Sequence, residues 1–235
     1  MCICFYTLAH PAYSLVLAAN RDEFLARPSL PAEWHGPNKT ILSGIDVQGG
    51  GTWAGIERAT GKFGIITNVR EKVKVQGSSR GRLVLDWLES PSVRGVEAYL
   101  DSLRTTMAEY AGFNLLVGQI TGIEEPVKLG FLSNRGEEVQ TELSSIEAQN
   151  VMQSEICIEN LQDADGTGVI SNGALASVTD ATLAKPLEAA WPKMDTGRKA
   201  FGQALQRAEQ PKSYSSESIS IKDAFVDNLL RSVLR

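Results

Sequence analysis

The sequence predicts an α+β protein with two antiparallel sheets at its centre and helices packed over them. Three observations carry that prediction. Apolar residues alternate with period two through much of residues 1–70. They recur at helical spacing between residues 79 and 110. Strand-like runs then return ahead of a helical C-terminal part. The order of strands, helices, strands and helices suits one domain of four layers with the two sheets inside, spanning residues 1–235.

The elements follow in order. Residues 2–8 alternate, with Cys2, Cys4 and Tyr6 on one strand face and Ile3, Phe5 and Thr7 on the other. His10-Pro11-Ala12 turns the chain into a second apolar strand over 13–19, so the two make a hairpin. Residues 27–38 are proline-punctuated and read as a loop. Short strands follow at 40–45, 52–57 and 63–69, with Gly49-Gly50-Gly51 and Thr60-Gly61 as turns. Residues 69–77 are charged and read as a solvated loop that includes Lys72-Val73-Lys74. Ser79 is placed to cap a helix carrying Leu83, Leu85, Trp87 and Leu88, and a second helix runs over 92–110. Strands return at 112–120, 127–133, 155–159 and 167–171, and helices at 197–208 and 221–234.

Composition narrows the function classes. The chain has 235 residues, 43% hydrophobic and 22% charged, which is ordinary for a globular protein. A net charge of -5 argues against a nucleic-acid-binding face. Cys2, Cys4 and Cys157 are too few and too oddly spaced for a disulfide framework, so a reducing, cytoplasmic setting is expected. The apolar start has no basic segment and is broken by His10-Pro11, unlike a secretory signal. No apolar run approaches the roughly 18 residues of a membrane span. Self-association is left open.

The chemistry concentrates at the start. Methionine before a small residue such as cysteine is usually removed, which would give Cys2 a free α-amine. That residue would then hold a nucleophile and its general base together. The hairpin would return Asn20-Arg21-Asp22-Glu23 to Cys2, with Asp22 buried and paired beside the amine and Arg21. Asn68 and Asn172, each at the end of a strand, are candidate oxyanion donors. Tyr6, Trp53, Asn20 and Arg21 are candidates to line a binding pocket. Structural roles compete with each of these. The charged tetrapeptide could be a solvated turn, the asparagines strand caps, His10 a turn residue and His35 an exposed loop residue. Cys2-x-Cys4 lacks the second Cys/His pair of a tetrahedral site, so no metal is expected.

Several motifs occur together and in order: Met1-Cys2-Ile3, then Leu17 to Phe24 around Asn20-Arg21-Asp22-Glu23, Arg27-Pro28, Gly50-Gly51-Thr52-Trp53 and Thr67-Asn68. Ser79-Arg80-Gly81, Gly112-Phe113-Asn114-Leu115-Leu116, Ser171-Asn172-Gly173 and Trp191-Pro192-Lys193 follow. This combination resembles the NRDE, or Transport and Golgi Organization 2, family across nearly the whole chain. The resemblance implies the four-layer αββα sandwich of the N-terminal-nucleophile hydrolases. Cys2 then matches the nucleophile, Asp22 the residue that orients its amine, and Asn68 and Asn172 oxyanion or substrate-binding asparagines. Arg198, opening a C-terminal helix, matches a second active-site arginine. The related hydrolases carry an arginine directly before the asparagine, where this chain has Ala19. Arg21 is two residues further on, with a different reach if the strand runs straight, so the Cys2 thiol is expected near its ordinary pKa of about 8.5.

Two readings follow. In the first, the protein carries a small amphipathic ligand, heme or an acyl metabolite, between compartments, with links to Golgi organisation, secretion and lipid or mitochondrial homeostasis. Heme would be cargo, not a catalytic cofactor, with His10, Cys2 or Cys4 as a weak axial ligand. In the second, Cys2 is the nucleophile of an amidohydrolase acting on an acyl-amino substrate.

Overall fold

In the computed structural model the described residues are 2–69, 77–91, 94–122, 125–135, 154–156, 166–172 and 192–209. They form an α+β fold around two antiparallel sheets. The smaller sheet contains β1 (Ile3–Thr7), β2 (Val16–Asn20) and β10 (Thr167–Ser171), in the order β10-β1-β2. The larger runs in sequence order through β3 (Ser29–His35), β4 (Ile41–Asp46), β5 (Ala54–Glu57), β6 (Lys62–Asn68), β7 (Phe113–Gln119), β8 (Lys128–Ser133) and β9 (Ser154–Ile156). The described helices are α1 (Gly81–Glu89), α2 (Val96–Leu103) and α3 (Pro192–Glu209). None of the described helices is long and apolar enough to cross a membrane.

Three apolar clusters position these elements. Val84, Trp87, Tyr99 and Leu100 of α1 and α2 pack on Phe113, Leu115 and Val117. On the opposite face of the large sheet, Ile65, Leu116 and Phe131 meet Cys4, Tyr6 and Ile170 of the small sheet. Ile3, Phe5 and Val169 face away from that junction onto Met194 and Phe201 of α3. The alternation read along β1 therefore sorts two buried faces, and all of β1 is buried. Each large apolar side chain so placed is stabilised by about 1.5–3 kcal/mol. Gly168 lies opposite Tyr6, and a β-carbon there would overlap the tyrosine ring.

Several expectations need correction. Residues 29–35 are a strand, not loop. β3 is an edge strand whose register shifts between Leu30 and Glu33, and an edge with a bulge tolerates Pro31. His35 is consequently half-buried, with Nε2 2.6 Å from Ser43 Oγ. The helix expected over 92–110 is α2 followed by a separate 3-10 turn at Met107–Glu109; the intervening Thr105-Thr106 pair is β-branched and helix-poor. Arg80, not Ser79, is the N-cap residue of α1, and no side chain caps that end. The helix expected from residue 197 begins earlier, at Pro192, where a missing N–H is harmless. The strand expected at 155–159 is described only as β9. The helix expected over 221–234, Cys157, Met1, Trp191, Gly173 and Lys72-Val73-Lys74 lie outside the described residues.

Lys62 is fully buried at the start of β6. Its Nζ donates to Ser90 O, Ser90 Oγ and Pro91 O at 3.1, 2.7 and 2.9 Å and sits 4.3 Å from the Trp87 ring centroid. The ammonium thus satisfies carbonyls at the C-terminal end of α1.

Candidate functional site

The register of the hairpin places Ile3 opposite Asn20, so the chain leaving β2 passes beside Cys2. Asn20 fastens this junction. Its Oδ1 accepts from the Ile3 N–H at 3.0 Å, and its Nδ2 donates to Asp22 Oδ1 at 3.0 Å. The Cys2 thiol, 8% exposed, donates to the backbone carbonyl of Asp22 with an Sγ···O distance of 3.8 Å. The hairpin therefore sets Asp22 against Cys2. The Asp22 residue itself is exposed, whereas burial was expected.

Each sheet supplies one asparagine, Asn68 from the large sheet and Asn172 from the small one. β6 ends at Asn68, and Asn172 follows β10 directly. Asn172 Nδ2 donates to the Asn68 carbonyl at 2.6 Å, and the Asn172 amide lies near enough to the Cys2 sulfur to favour its thiolate. Cys2, Asp22 and Asn68 share a cleft of about 340 Å³ with Arg21, Trp53 and Arg80.

Arg21 reaches this cleft because β2 stops at Asn20, so strand alternation no longer fixes where the next residue points. Ala19 is exposed opposite Cys4, while the Arg21 guanidinium lies 4.7 Å over the Trp53 ring. Arg21 therefore brings a positive charge into the cleft with Cys2. Its charge is shared: Arg21 is 3.4 Å from Asp46 and 3.8 Å from Glu23, and Arg27 is 2.6 Å from Asp46 and 3.3 Å from Glu23. Burial pushes the Asp46 carboxyl up, but Arg27 and the N–H groups of Gly49 and Gln48 outweigh it and hold the carboxyl below its usual range. Burial also pushes the Cys2 thiol up. The amino-terminal charge, the Asn172 amide and Arg21 pull it back without cancelling that effect. The thiol is therefore above its ordinary pKa, not near it as the sequence suggested.

The other candidates sit elsewhere. Tyr6 is fully buried between the sheets and is not among the residues lining the cleft. Arg198 lies inside α3 rather than at its start, and its charge acts on Tyr6. Cys4 is fully buried. His10 belongs to the hairpin turn, where Nδ1 accepts from the Ala12 N–H at 3.1 Å and the ring lies 5.0 Å from Tyr13. Of the three possible axial ligands, Cys2 alone is among the residues lining this cleft.

Sequence reasoning missed Asp46, whose Oδ1 accepts from Gln48 and Gly49 at 3.1 and 3.0 Å. An aspartate just ahead of a triple glycine is a turn signal that could have marked it. It also missed the far wall. A β-carbon at Gly51 would overlap the backbone of Gly81 and Arg82, so the glycine lets this turn seat against the start of α1. Arg80 Nη1 donates to the Gly112 carbonyl at 2.8 Å. Arg27, Gly51, Ser79 and Arg80 all belong to the motifs already quoted, which was the available signal.

Comparison with known proteins places these features. Residues 1–232 match the family model described as Transport and Golgi organisation 2. The chain is 31% identical over 218 residues to the mouse (Mus musculus) Transport and Golgi organization 2 homolog, covering 89% of this chain and 66% of that protein. It is 38% identical over 146 residues to the human (Homo sapiens) homolog, covering 58% of this chain and 51% of the relative. Transport and Golgi organization protein 2 of Drosophila melanogaster is 30% identical over 145 residues, with 57% and 51% covered. The chain thus matches two thirds or less of the length of these relatives, and it belongs to the Transport and Golgi organisation 2 family.

Proposed function

We propose that the Cys2 cleft binds a small amphipathic metabolite and that the protein hands it on between compartments without cleaving it. The observation that carries this reading is the contrast at the cleft mouth. The walls carry Arg21, Arg27, Arg80, Asp22, Glu23 and Asp46. The turn between Glu23 and Arg27 presents Phe24 and Leu25 at 79% and 105% exposure. A polar head fits the cleft while an apolar tail lies on that turn. A volume of about 340 Å³ is small for a ligand site. An acyl metabolite with a compact polar head suits it better than heme, whose broad macrocycle would need apolar walls.

The hydrolase reading keeps one specific support. Cys2, Asp22, Asn68 and Asn172 lie at the start of β1 and beside the ends of three other strands, and the two sheets lie between α1 and α2 on one side and α3 on the other. Sheets layered between helices in this way support the N-terminal-nucleophile reading. Against turnover stands a buried thiol held above its ordinary pKa, since the thiolate is the attacking form. The test is titration of parent and Cys2→Ala proteins with N-dodecanoylglycine and with hemin, following hydrolysis in parallel. Saturable binding of the acyl probe by both proteins, without cleavage, supports the carrier. Cleavage by the parent that vanishes in Cys2→Ala supports the hydrolase.

A further inference from the structure

The junction between the two sheets is apolar through Cys4, Tyr6, Ile65, Leu116, Phe131 and Ile170. At its Cys2 end it changes character. Thr67 Oγ1 and Asn114 Nδ2 both donate to one acceptor, the Ser171 carbonyl, at 2.8 and 2.9 Å. Thr67 and Asn114 are cross-strand partners in the large sheet, while Ser171 belongs to the small one. All three residues are buried, at 3%, 1% and 4% exposure. The grip is reciprocal, because Asn172 Nδ2 donates back to the Asn68 carbonyl at 2.6 Å. Residues 67 and 68 of one sheet thus clasp residues 171 and 172 of the other.

The Ser171 carbonyl is part of the planar peptide that leads into Asn172. Fixing that oxygen fixes where the Asn172 backbone, and then its amide, can lie. Valine and leucine would fill the same space without the desolvation cost of burying polar groups. Their polar replacements gain direction.

We propose that Thr67 and Asn114 are positioning residues that hold Asn172 against Cys2. The proposal rests on reading the Cys2 cleft as the ligand site, and its test uses a different readout from ligand binding. On the full-length protein, iodoacetamide labelling of Cys2 is followed against pH by mass spectrometry of the Cys2 peptide. This separates it from Cys4 and Cys157. The amino-terminal charge, Arg21, Asp22 and Glu23 also lie beside the thiol and stay unchanged in every variant.

Thr67→Val and Asn114→Leu, singly and together, should move the labelling profile to higher pH. At neutral pH the double variant should label at least about tenfold more slowly, the scale of losing one hydrogen bond to a charged group. Thr67→Ser keeps the hydroxyl and should track the parent. If the double variant does not fold, Thr67→Val alone gives the reading. An unmoved profile in folded variants, or one that Thr67→Ser shifts as far as Thr67→Val, overturns the proposal and leaves these residues as structural ties only. Protection of Cys2 by N-dodecanoylglycine is measured separately. Its absence would count against the ligand reading while the profile shift still decides the positioning role.

Discussion

Asp46→Asn should destabilise the protein by about 2 kcal/mol while leaving the adjoining turn intact. Asn keeps an oxygen for the Gln48 and Gly49 N–H groups, so the loss falls on the two guanidinium contacts. Breaking a fully buried pair costs about 3–5 kcal/mol, and an exposed pair contributes about 0–1 kcal/mol. The Asp46 side chain is 13% exposed, Arg21 15% and Arg27 33%, which places this cluster between those limits. For a chain of this size about 2 kcal/mol corresponds to roughly 4–8 °C in melting temperature. The pH dependence adds a second signature. The folded Asp46 pKa is depressed, so its stabilisation is present above the unfolded value near 3.9 and is lost as pH falls through the folded value. The parent should lose stability below about pH 4 more steeply than Asp46→Asn. Thermal melts from pH 3 to pH 8 measure both effects. Equal melting temperatures at neutral pH with superimposable acid limbs would refute the argument.

Other outcomes follow from the same contacts. Asn20→Asp keeps the acceptor for Ile3 but sets two carboxylates together where an amide now donates to Asp22 at 3.0 Å; it should lower the melting temperature at pH 8 and recover part of it at pH 5. Gly51→Ala should cost more than about 2 kcal/mol through the clash with the start of α1. Gly202→Ala, inside α3 with open space around it, should stabilise by about 0.5–1 kcal/mol; paired denaturation curves decide both. Labelling of Cys2 in the parent should have its midpoint above the ordinary thiol value of about 8.5, and rapid labelling at pH 7 would contradict the effect of burial.

Much of the fold was legible because strand alternation and turn chemistry are local. Strands β1, β7, β8 and β10 lie within a residue or two of their expected bounds, since each is a clear apolar run closed by polar or glycine residues. β3 was hidden because proline normally argues against a strand, and only its place at the sheet edge makes it acceptable there. The meeting of Cys2 and Asp22 was legible because a hairpin forces it. The exposure of Asp22 was not, because which carboxylate pairs with Arg21 depends on Asp46 arriving from a different sheet. Tyr6 illustrates the same limit. Its strand face was read correctly, but period two cannot say whether that face meets a ligand or another sheet.

The central claim is that an amphipathic acyl compound occupies the Cys2 cleft and leaves it unchanged. Its most direct test is the rate of Cys2 alkylation with and without saturating N-dodecanoylglycine, with the probe recovered and weighed by mass spectrometry. The account predicts several-fold slower alkylation and an intact probe. Unchanged alkylation would place any binding elsewhere, and a cleaved probe with acyl mass on Cys2 would show an enzyme instead.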